Sequence, residues 1–213
     1  MEIIYYGHAC FRLRERGASV YTDPYPPELG AELPRLTASI VTVSHQHPNH
    51  NDVRGFRGSP YVIQGPGEYE ISGVFVTGVE LYHDEKTGQE RGKTTAYVIE
   101  MDGVMICHLG DLGYVPSQEE IEELGDVDVL LIPVGGRTTI TGTRAAEIVN
   151  LIDPRIVIPM HYKVPGLNTN LETEKRFLRE MGVDDPTRVE DILKVTASSL
   201  PEETTIMLLT PQL

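Results

Sequence analysis

The feature that most constrains this chain is a histidine-rich stretch placed directly after an apolar, β-branched one. Residues Ala38–Val43 predict a buried strand. Side chains two apart in extended backbone face the same way, so His45 and His47 are expected to point together off the end of this strand. The following Pro48-Asn49 predicts a turn that brings His50 back toward them. Several imidazoles that converge at a strand terminus suit a divalent transition metal.

A single histidine is usually a surface residue or a hydrogen-bonded core residue. Three histidines within residues 45–50 are harder to explain in that way. Clustered imidazoles repel one another when charged and have no strong reason to gather without a ligand. The spacing therefore favours a metal site over a purely structural cluster.

The overall composition narrows the class of protein. The chain has 213 residues, of which 40% are hydrophobic and 23% charged, so it predicts one domain over residues 1–213 with a substantial core. The formal net charge of −14 makes nucleic acid an unlikely partner, because phosphate backbones are held by Lys and Arg. No apolar run approaches the roughly 20 residues of a membrane span. Two cysteines make no disulfide framework, and the start resembles a strand and not a signal peptide, so we expect a cytoplasmic protein.

The elements change character along the chain. The first half predicts short strands in a meander, beginning with Glu2–Tyr6, Cys10–Leu13 and Ala18–Thr22. The second half alternates strands with helices, predicted from Ser117 to about Leu124, over Thr143–Leu151 and over Leu171–Met181. A short helical turn is predicted over Val189–Leu193. One domain with mixed sheets and outer helices fits this pattern best.

All seven histidines lie at the end of a predicted strand or in a tight turn beside one. They are His8, His45, His47, His50, His83, His108 and His161. Asp111 follows another predicted strand in the sequence His-Leu-Gly-Asp. Ligands that separate strands bring to one sheet edge are typical of a metal site.

These ordered motifs resemble those of the metallo-β-lactamase superfamily. They are His45-x-His47-x-Asn49-His50, His83, Asp111 in His-x-Gly-Asp, and His161 in Ile158-Pro159-Met160-His161-Tyr162. Gly7-His8-Ala9-Cys10-Phe11 and Thr22-Asp23-Pro24 are similar to the ascorbate-6-phosphate-lactonase-like branch of metal-dependent hydrolases. The resemblance covers essentially the whole chain. It implies an α/β (α+β) fold, a four-layer αββα sandwich of two mixed β-sheets flanked by helices, with metals at one edge of the sheets.

The resemblance also implies a ligand set. Carried over residue by residue, the first metal is expected on His45, His47 and His83. The second is expected on His50 and His161, with Asp111 bridging both ions and acting in catalysis. The expected cofactor is one or two divalent ions per chain, with zinc favoured and manganese or iron as alternatives.

One position departs from the family pattern. The remaining ligand of the second site is an Asp in the family, and here it is Asn49. An amide oxygen can coordinate a cation but brings no charge, so the second site is expected to be weaker. Asp52 is the nearby carboxylate that would compensate for the missing charge from beside the metal ligands. Its alternative role is that of a helix cap or solvated acid.

Two histidines are left over from the ligand set. His8 is predicted as a catalytic residue, either a substrate contact or a proton donor, and its alternative role is a structural hydrogen bond in a turn. His108 is predicted to orient Asp111 or a ligand from behind. Substrate-binding residues are not assigned by the sequence.

The leading hypothesis is a metal-dependent hydrolase. A hydroxide activated by the metal would attack a lactone, ester, amide or phosphoester bond of a small substrate, with anionic substrates among the candidates. One alternative is a non-catalytic metal- or ligand-binding protein whose second metal site is degenerate at Asn49. A further alternative is a phosphodiesterase acting on nucleic acid. The sequence leaves the oligomeric state open, a homo-oligomer included.

Overall fold

Short strands dominate the molecule because its apolar runs are brief and end at Gly, Pro or Asp-containing turns. The computed structural model describes residues 1–34 and 36–213. In this part of the chain the strands are β1 (Glu2–Tyr5), β2 (Phe11–Glu15), β3 (Ala18–Thr22), β4 (Leu36–Thr37), β5 (Ile40–Val43), β6 (Phe56–Arg57), β7 (Tyr61–Gln64), β8 (Gly67–Ile71), β9 (Val74–Tyr82), β10 (Lys93–Met101), β11 (Val104–His108), β12 (Val129–Pro133), β13 (Ile156–Met160), β14 (Thr187–Val189), β15 (Leu193–Lys194) and β16 (Thr205–Leu209). The α-helices described are α1 (Gln118–Leu124), α2 (Gly142–Ile152) and α3 (Lys175–Glu180).

Two mixed sheets form the body of the fold. The first has six strands in the order β15-β1-β2-β3-β5-β7, antiparallel up to β3 and parallel beyond it. The second has eight strands in the order β14-β16-β13-β12-β11-β10-β9-β8. Its pairs from β8 to β11 are antiparallel, and those from β11 to β14 are parallel. The predicted meander of β1, β2 and β3 is therefore confirmed.

The sheets share one hydrophobic core. Ile3, Phe11 and Leu13 of the first sheet and Ile99 and Ile106 of the second are fully buried in the same cluster. Each such side chain contributes about 1.5–3 kcal/mol when it is fully removed from water. The core therefore fixes the relative position of the two sheet edges that carry the candidate ligands.

Few helices cover the sheets. Helix α1 lies against β9 and α2 against β12, both in the second sheet, and α3 packs on α2. Over the first sheet lies the short pair β4–β6, where the ring of Phe56 contacts that of Tyr21 with centroids 5.0 Å apart. The predicted fold class, an αββα sandwich of two mixed sheets flanked by helices, is confirmed.

Two predicted helical segments differ from the structure. The helix predicted over Leu171–Met181 is α-helical only over Lys175–Glu180, because Glu172 is engaged by backbone hydrogen bonds with Gly135 and Lys163. The turn predicted over Val189–Leu193 is replaced by β14 and β15, which pair with β16 and β1. In both places tertiary pairing overrides local propensity. No described helix is long and apolar enough to cross a membrane.

Candidate metal centre

Strand direction brings the candidate ligands to one edge. Strands β1, β3 and β5 run the same way within the first sheet, and β9, β11, β12 and β13 share a direction within the second. The carboxyl end of each is followed by a polar loop. These loops carry His8, Asp23, His45, His83, Asp111, Arg137 and His161. A backbone hydrogen bond of 2.8 Å from Thr95 N to Ser44 O joins the two sheets at this edge.

Asp111 lies at the centre of the resulting cluster. Its Oδ2 is 3.9 Å from Nε2 of His45, 3.4 Å from that of His50 and 3.5 Å from that of His83. Its Oδ1 is 3.3 Å from Nε2 of His161. Four imidazole nitrogens from three separate segments therefore surround one buried carboxyl group.

Asp23 and Ser44 fix the orientation of two of these rings. His50 donates from Nδ1 to Asp23 Oδ2 at 2.9 Å, and Ser44 N donates to Asp23 Oδ1 at 2.7 Å. The Ser44 hydroxyl also donates to Asp23 and therefore accepts from His45 Nδ1, 3.0 Å away. Both rings thus carry their proton on Nδ1 and turn Nε2 toward Asp111, as histidine ligands of a metal require.

Three overlapping groups meet the spacing of a metal site. They are His45, His83 and Asp111; His45, His47 and His50; and His8, His50 and His161, with the ligand atoms of each group within 4.8 Å of one another. His47 is the exposed member, and its Nδ1 is 3.3 Å from the backbone N of Asn49. The structure therefore brings together all five histidines and the aspartate predicted as ligands, and it adds His8.

Burial sets the protonation of the cluster without metal. It lowers the pKa of His45 and of His161 to about 4. Burial and the neighbouring histidines lower the pKa of His8 and His50 well below the usual range. Burial raises the pKa of Asp111 to about 7, an effect that His83 opposes. These four imidazoles are therefore neutral at neutral pH, which is the form that binds metals.

The unsatisfied atoms of the cluster fit a cation. Within residues 1–34 and 36–213, five of its buried polar atoms have no hydrogen-bond partner: His8 Nδ1, His45 Nε2, His83 Nδ1, Asp111 Oδ1 and His161 Nδ1. An unpaired buried polar atom costs about 1–3 kcal/mol. His45 Nε2 and Asp111 Oδ1 belong to the facing atoms of the cluster, and a divalent ion bound there would supply the partner that these two atoms lack.

The remaining predicted residues have other surroundings. His108 is fully buried; its Nε2 donates to Ala9 O at 2.9 Å, and its Nδ1 accepts from Gly110 N at 3.2 Å. It thus links the loop of His8 to the loop of Asp111 without touching the carboxyl group itself.

Asp52 differs from its prediction. Its carboxylate accepts from Arg54, at 2.7 Å from Nε, and caps a 3₁₀ turn over Val53–Gly55. It is absent from the three ligand groups of the described residues. The structure supports the alternative role of a cap and gives no support for compensation of Asn49, because Arg54 already neutralises this carboxylate.

A cleft of about 300 Å³ opens over the cluster. Seven of the predicted residues line it: His8, His47, Asn49, His50, His83, Asp111 and His161. Arg137, Thr138 and the segment Asn168–Leu171 also line it. Arg137 also borders a neighbouring cavity that contains Arg91.

Sequence reasoning did not assign a role to Asp23. The residue is fully buried, has a left-handed φ of 38° and connects His50 to Ser44. The available signal was its position directly after a predicted strand, as for Asp111. An Asp-Pro pair is also common turn chemistry, so that signal alone did not separate the two roles.

Comparison with known proteins identifies the family. A profile described as a beta-lactamase superfamily domain matches residues 2–161. The chain belongs to the metallo-β-lactamase superfamily. A UPF0173 metal-dependent hydrolase from Methanoculleus marisnigri is 32% identical over 202 residues, which cover 84% of this chain and 88% of the relative. A UPF0173 protein from Pyrococcus abyssi is 32% identical over 190 residues, which cover 78% and 85%.

A solved structure matches the fold over nearly the whole chain. It is the crystal structure of a proposed Zn-dependent hydrolase of the metallo-β-lactamase superfamily from Thermotoga maritima, with 39% identity and a TM-score of 0.81. The match covers 98% of this chain and 97% of the other. The family predicted from the motifs is confirmed, and so is the predicted class of enzyme, a metal-dependent hydrolase of this superfamily.

Proposed function

We propose that this metallo-β-lactamase superfamily member hydrolyses a lactone, ester, amide or phosphoester bond in a small substrate that carries an anionic group. The observation that carries the proposal is the buried carboxyl group of Asp111 with four imidazole nitrogens at 3.3–3.9 Å. No Ser or Cys nucleophile is required by such a site. The two cysteines are buried, and burial raises the pKa of the Cys107 thiol to about 12.

The residues divide between two ions. His45, His47 and His83 would hold the first, His50 and His161 the second, and Asp111 would bridge them. Zinc suits this mixed set of histidine and carboxylate, and manganese or iron would also be accepted. A divalent ion held in this way would lower the pKa of a bound water from about 15.7 to about 7 and would polarise the substrate oxygen.

The chain's own groups prepare and position the reaction. Asp23 and Ser44 keep the protons of His45 and His50 on Nδ1, so the opposite nitrogens stay available. The cleft of about 300 Å³ is at the small end of the range for ligand pockets, about 300–1,000 Å³, which favours a small substrate.

Arg137 is the proposed partner of the anionic group. It is exposed at the cleft wall, has a left-handed φ of 63°, and has no ion pair among the described residues. An Arg fork matches carboxylate and phosphate in a bidentate way. Arg137→Ala should raise KM about tenfold for p-nitrophenyl phosphate and leave that for neutral p-nitrophenyl acetate unchanged, whereas Arg91→Ala serves as a control outside this cleft.

Metal analysis and turnover test the proposal together. The purified protein is reconstituted with Zn²⁺ or Mn²⁺, its metal content is measured, and chromogenic esters, lactones and phosphodiesters are screened. We expect at least one ion per chain, and loss of both metal and turnover in His45→Ala and His161→Ala. Less than about half an ion per chain, with wild-type turnover, would contradict the proposal.

Asn49 favours a second candidate, a non-catalytic metal- or ligand-binding protein. Its neutral amide lines the cleft where a carboxylate would add charge. The discriminating variant is Asn49→Asp. If it raises the occupancy of the second ion and switches on esterase or phosphodiesterase turnover that the wild type lacks, the natural protein binds without hydrolysing.

Two further proposals concern the cellular location of the protein and its binding partners. The two buried, free cysteines support a reducing, cytoplasmic location. The net charge of −14 opposes a nucleic-acid substrate, and tight RNA binding at physiological salt would be needed to revive that alternative.

A further inference from the structure

We infer that His8 is a direct ligand of the second divalent ion, where it supplies the donor that Asn49 replaces poorly. The inference rests on the proposed function, because it concerns the same metal centre. It changes the role of His8 from a substrate contact or proton donor to a part of the ion's coordination shell.

The spacing of the imidazoles is that of neighbouring ligands. His8 Nε2 is 3.1 Å from His50 Nε2, and the ring centroids of His8 and His161 are 4.3 Å apart. Zinc–nitrogen bonds of about 2.0–2.1 Å at tetrahedral angles place two ligand atoms about 3.3 Å apart. His8, His50 and His161 also form one of the three groups whose ligand atoms lie within 4.8 Å of one another.

The loop of His8 is built to hold this ring in place. His8 is buried and has a left-handed φ of 53°, which is uncommon for residues other than glycine, although Asn, Asp and His adopt it more often than the rest. Its carbonyl accepts hydrogen bonds from the Tyr5 hydroxyl at 3.0 Å and from His161 N at 2.7 Å. Strain of about 1–3 kcal/mol persists only where the surroundings over-determine the conformation. The hydrogen bond from His161 N also links the backbones of the two residues, so it fixes the position of one ring relative to the other.

Donor counting points to the same assignment. The group of His45, His83 and Asp111, together with His47, can fill the four positions of one ion. The second ion then has His50, His161 and a share of Asp111, and it lacks the carboxylate donor that the family pattern places at position 49. His8 would replace that donor, and a fifth position would remain for water. Asn49 is half-buried and offers a neutral amide oxygen, whereas the buried imidazole of His8 is a better donor for zinc.

The test compares cobalt binding in the wild type and in His8→Asn. Asn tolerates the left-handed backbone of this position but lacks the imidazole, so the turn should survive. We expect two equivalents of Co²⁺ in the wild type. In His8→Asn the second equivalent should bind at least about tenfold more weakly, by chelator competition and visible absorption. Asp52→Asn is the matched control, because this neighbouring carboxylate lies outside the three ligand groups of the described residues.

A second substitution separates a ligand from a proton donor. Adding Asn49→Asp to His8→Asn places a carboxylate on the cleft wall and should restore the second equivalent of Co²⁺. A proton donor would behave differently: His8→Asn would lose turnover with both equivalents intact. That result would overturn the inference and leave the proposed hydrolase standing.

A measurement on the unmodified protein covers the case in which His8→Asn does not fold. In ¹¹³Cd-loaded, ¹⁵N-labelled wild type, a ring nitrogen of His8 should show scalar coupling to ¹¹³Cd. No coupling at His8, with coupling present at His50 and His161, would overturn the inference alone. No cadmium or cobalt bound at all would overturn the proposed function as well.

Discussion

At the scale of single residues, Asp23 controls two ligands without being one. Its Oδ2 accepts a hydrogen bond from His50 Nδ1, with the two atoms 2.9 Å apart. It also accepts from Ser44, whose hydroxyl in turn accepts from His45 Nδ1. Asp23→Asn keeps the shape but removes the charge, so both rings should lose basicity and a fixed orientation. We predict a metal affinity lower by about 10–100-fold, measured by chelator competition. Asp52→Asn should bind metal like the wild type; equal affinity in the two variants would contradict this role.

The buried histidines make a second prediction, on acid stability without metal. Burial lowers the pKa of His45 and His161 from 6.5 to about 4, so their contribution to stability is complete above pH 6.5 and is lost as the pH falls toward 4. Asp111 acts in the opposite direction, because burial raises its pKa from 3.8 to about 7. The pKa values of His8 and His50 are also lowered. The four histidines together therefore change the free energy of unfolding more than the one carboxyl group does.

The free energy of unfolding of the metal-free protein should therefore fall between about pH 6.5 and pH 4. Urea unfolding at several pH values, with chelator present, measures it. A free energy that stays constant or rises on acidification would show that the cluster is not buried and neutral as described.

At the scale of elements, Gly113 lets the loop after β11 pass close to the end of β9. A Cβ at this position would lie 2.2 Å from the carbonyl carbon of His83. Gly113→Ala should therefore cost about 1–3 kcal/mol of stability and weaken metal binding, because His83 must move. Gly55→Ala is the control, since nothing lies within 4 Å of its Cβ, and it should stay within about 0.5 kcal/mol of the wild type. Denaturant unfolding of both variants measures the two free energies of unfolding. Equal values would contradict the tight packing at Gly113.

The elements also show what the sequence can predict. Strand ends are readable because apolar runs stop at polar residues. Asp102-Gly103 is a strong hairpin signal in the sequence, and it joins β10 to β11 with the positive φ values, 55° and 68°, that a type I′ turn needs. The extent of α3 and the strands β14 and β15 were not readable, because distant backbone partners decide them.

The same division applies to the site. The ligand histidines and Asp111 stand in dense motifs, and strand direction alone is enough to predict that they meet. The role of Asp23 depends on which side chain a loop from another strand places beside it, here His50 and Ser44. The local sequence Thr22-Asp23-Pro24 does not by itself predict these contacts.

At the scale of the whole molecule, the metal should stabilise a single cooperative unit. The prediction of one domain over residues 1–213 requires that near- and far-ultraviolet circular dichroism report one coincident unfolding transition. A ligand at 100 times its Kd adds about 2.7 kcal/mol, and about 2–4 °C of Tm per kcal/mol is expected for a chain of this size. Zn²⁺ should therefore raise Tm by about 5–11 °C in the wild type and by much less in His161→Ala. Two separate transitions, or an equal rise in both proteins, would contradict this expectation.

Anomalous diffraction from zinc-loaded crystals tests the central claim most directly. The account predicts anomalous peaks beside Asp111, with imidazole nitrogens of His45, His83, His50 and His161 at bonding distances of about 2.0–2.1 Å. A cleft without an anomalous peak at saturating zinc, with these side chains turned away from one another, would contradict it.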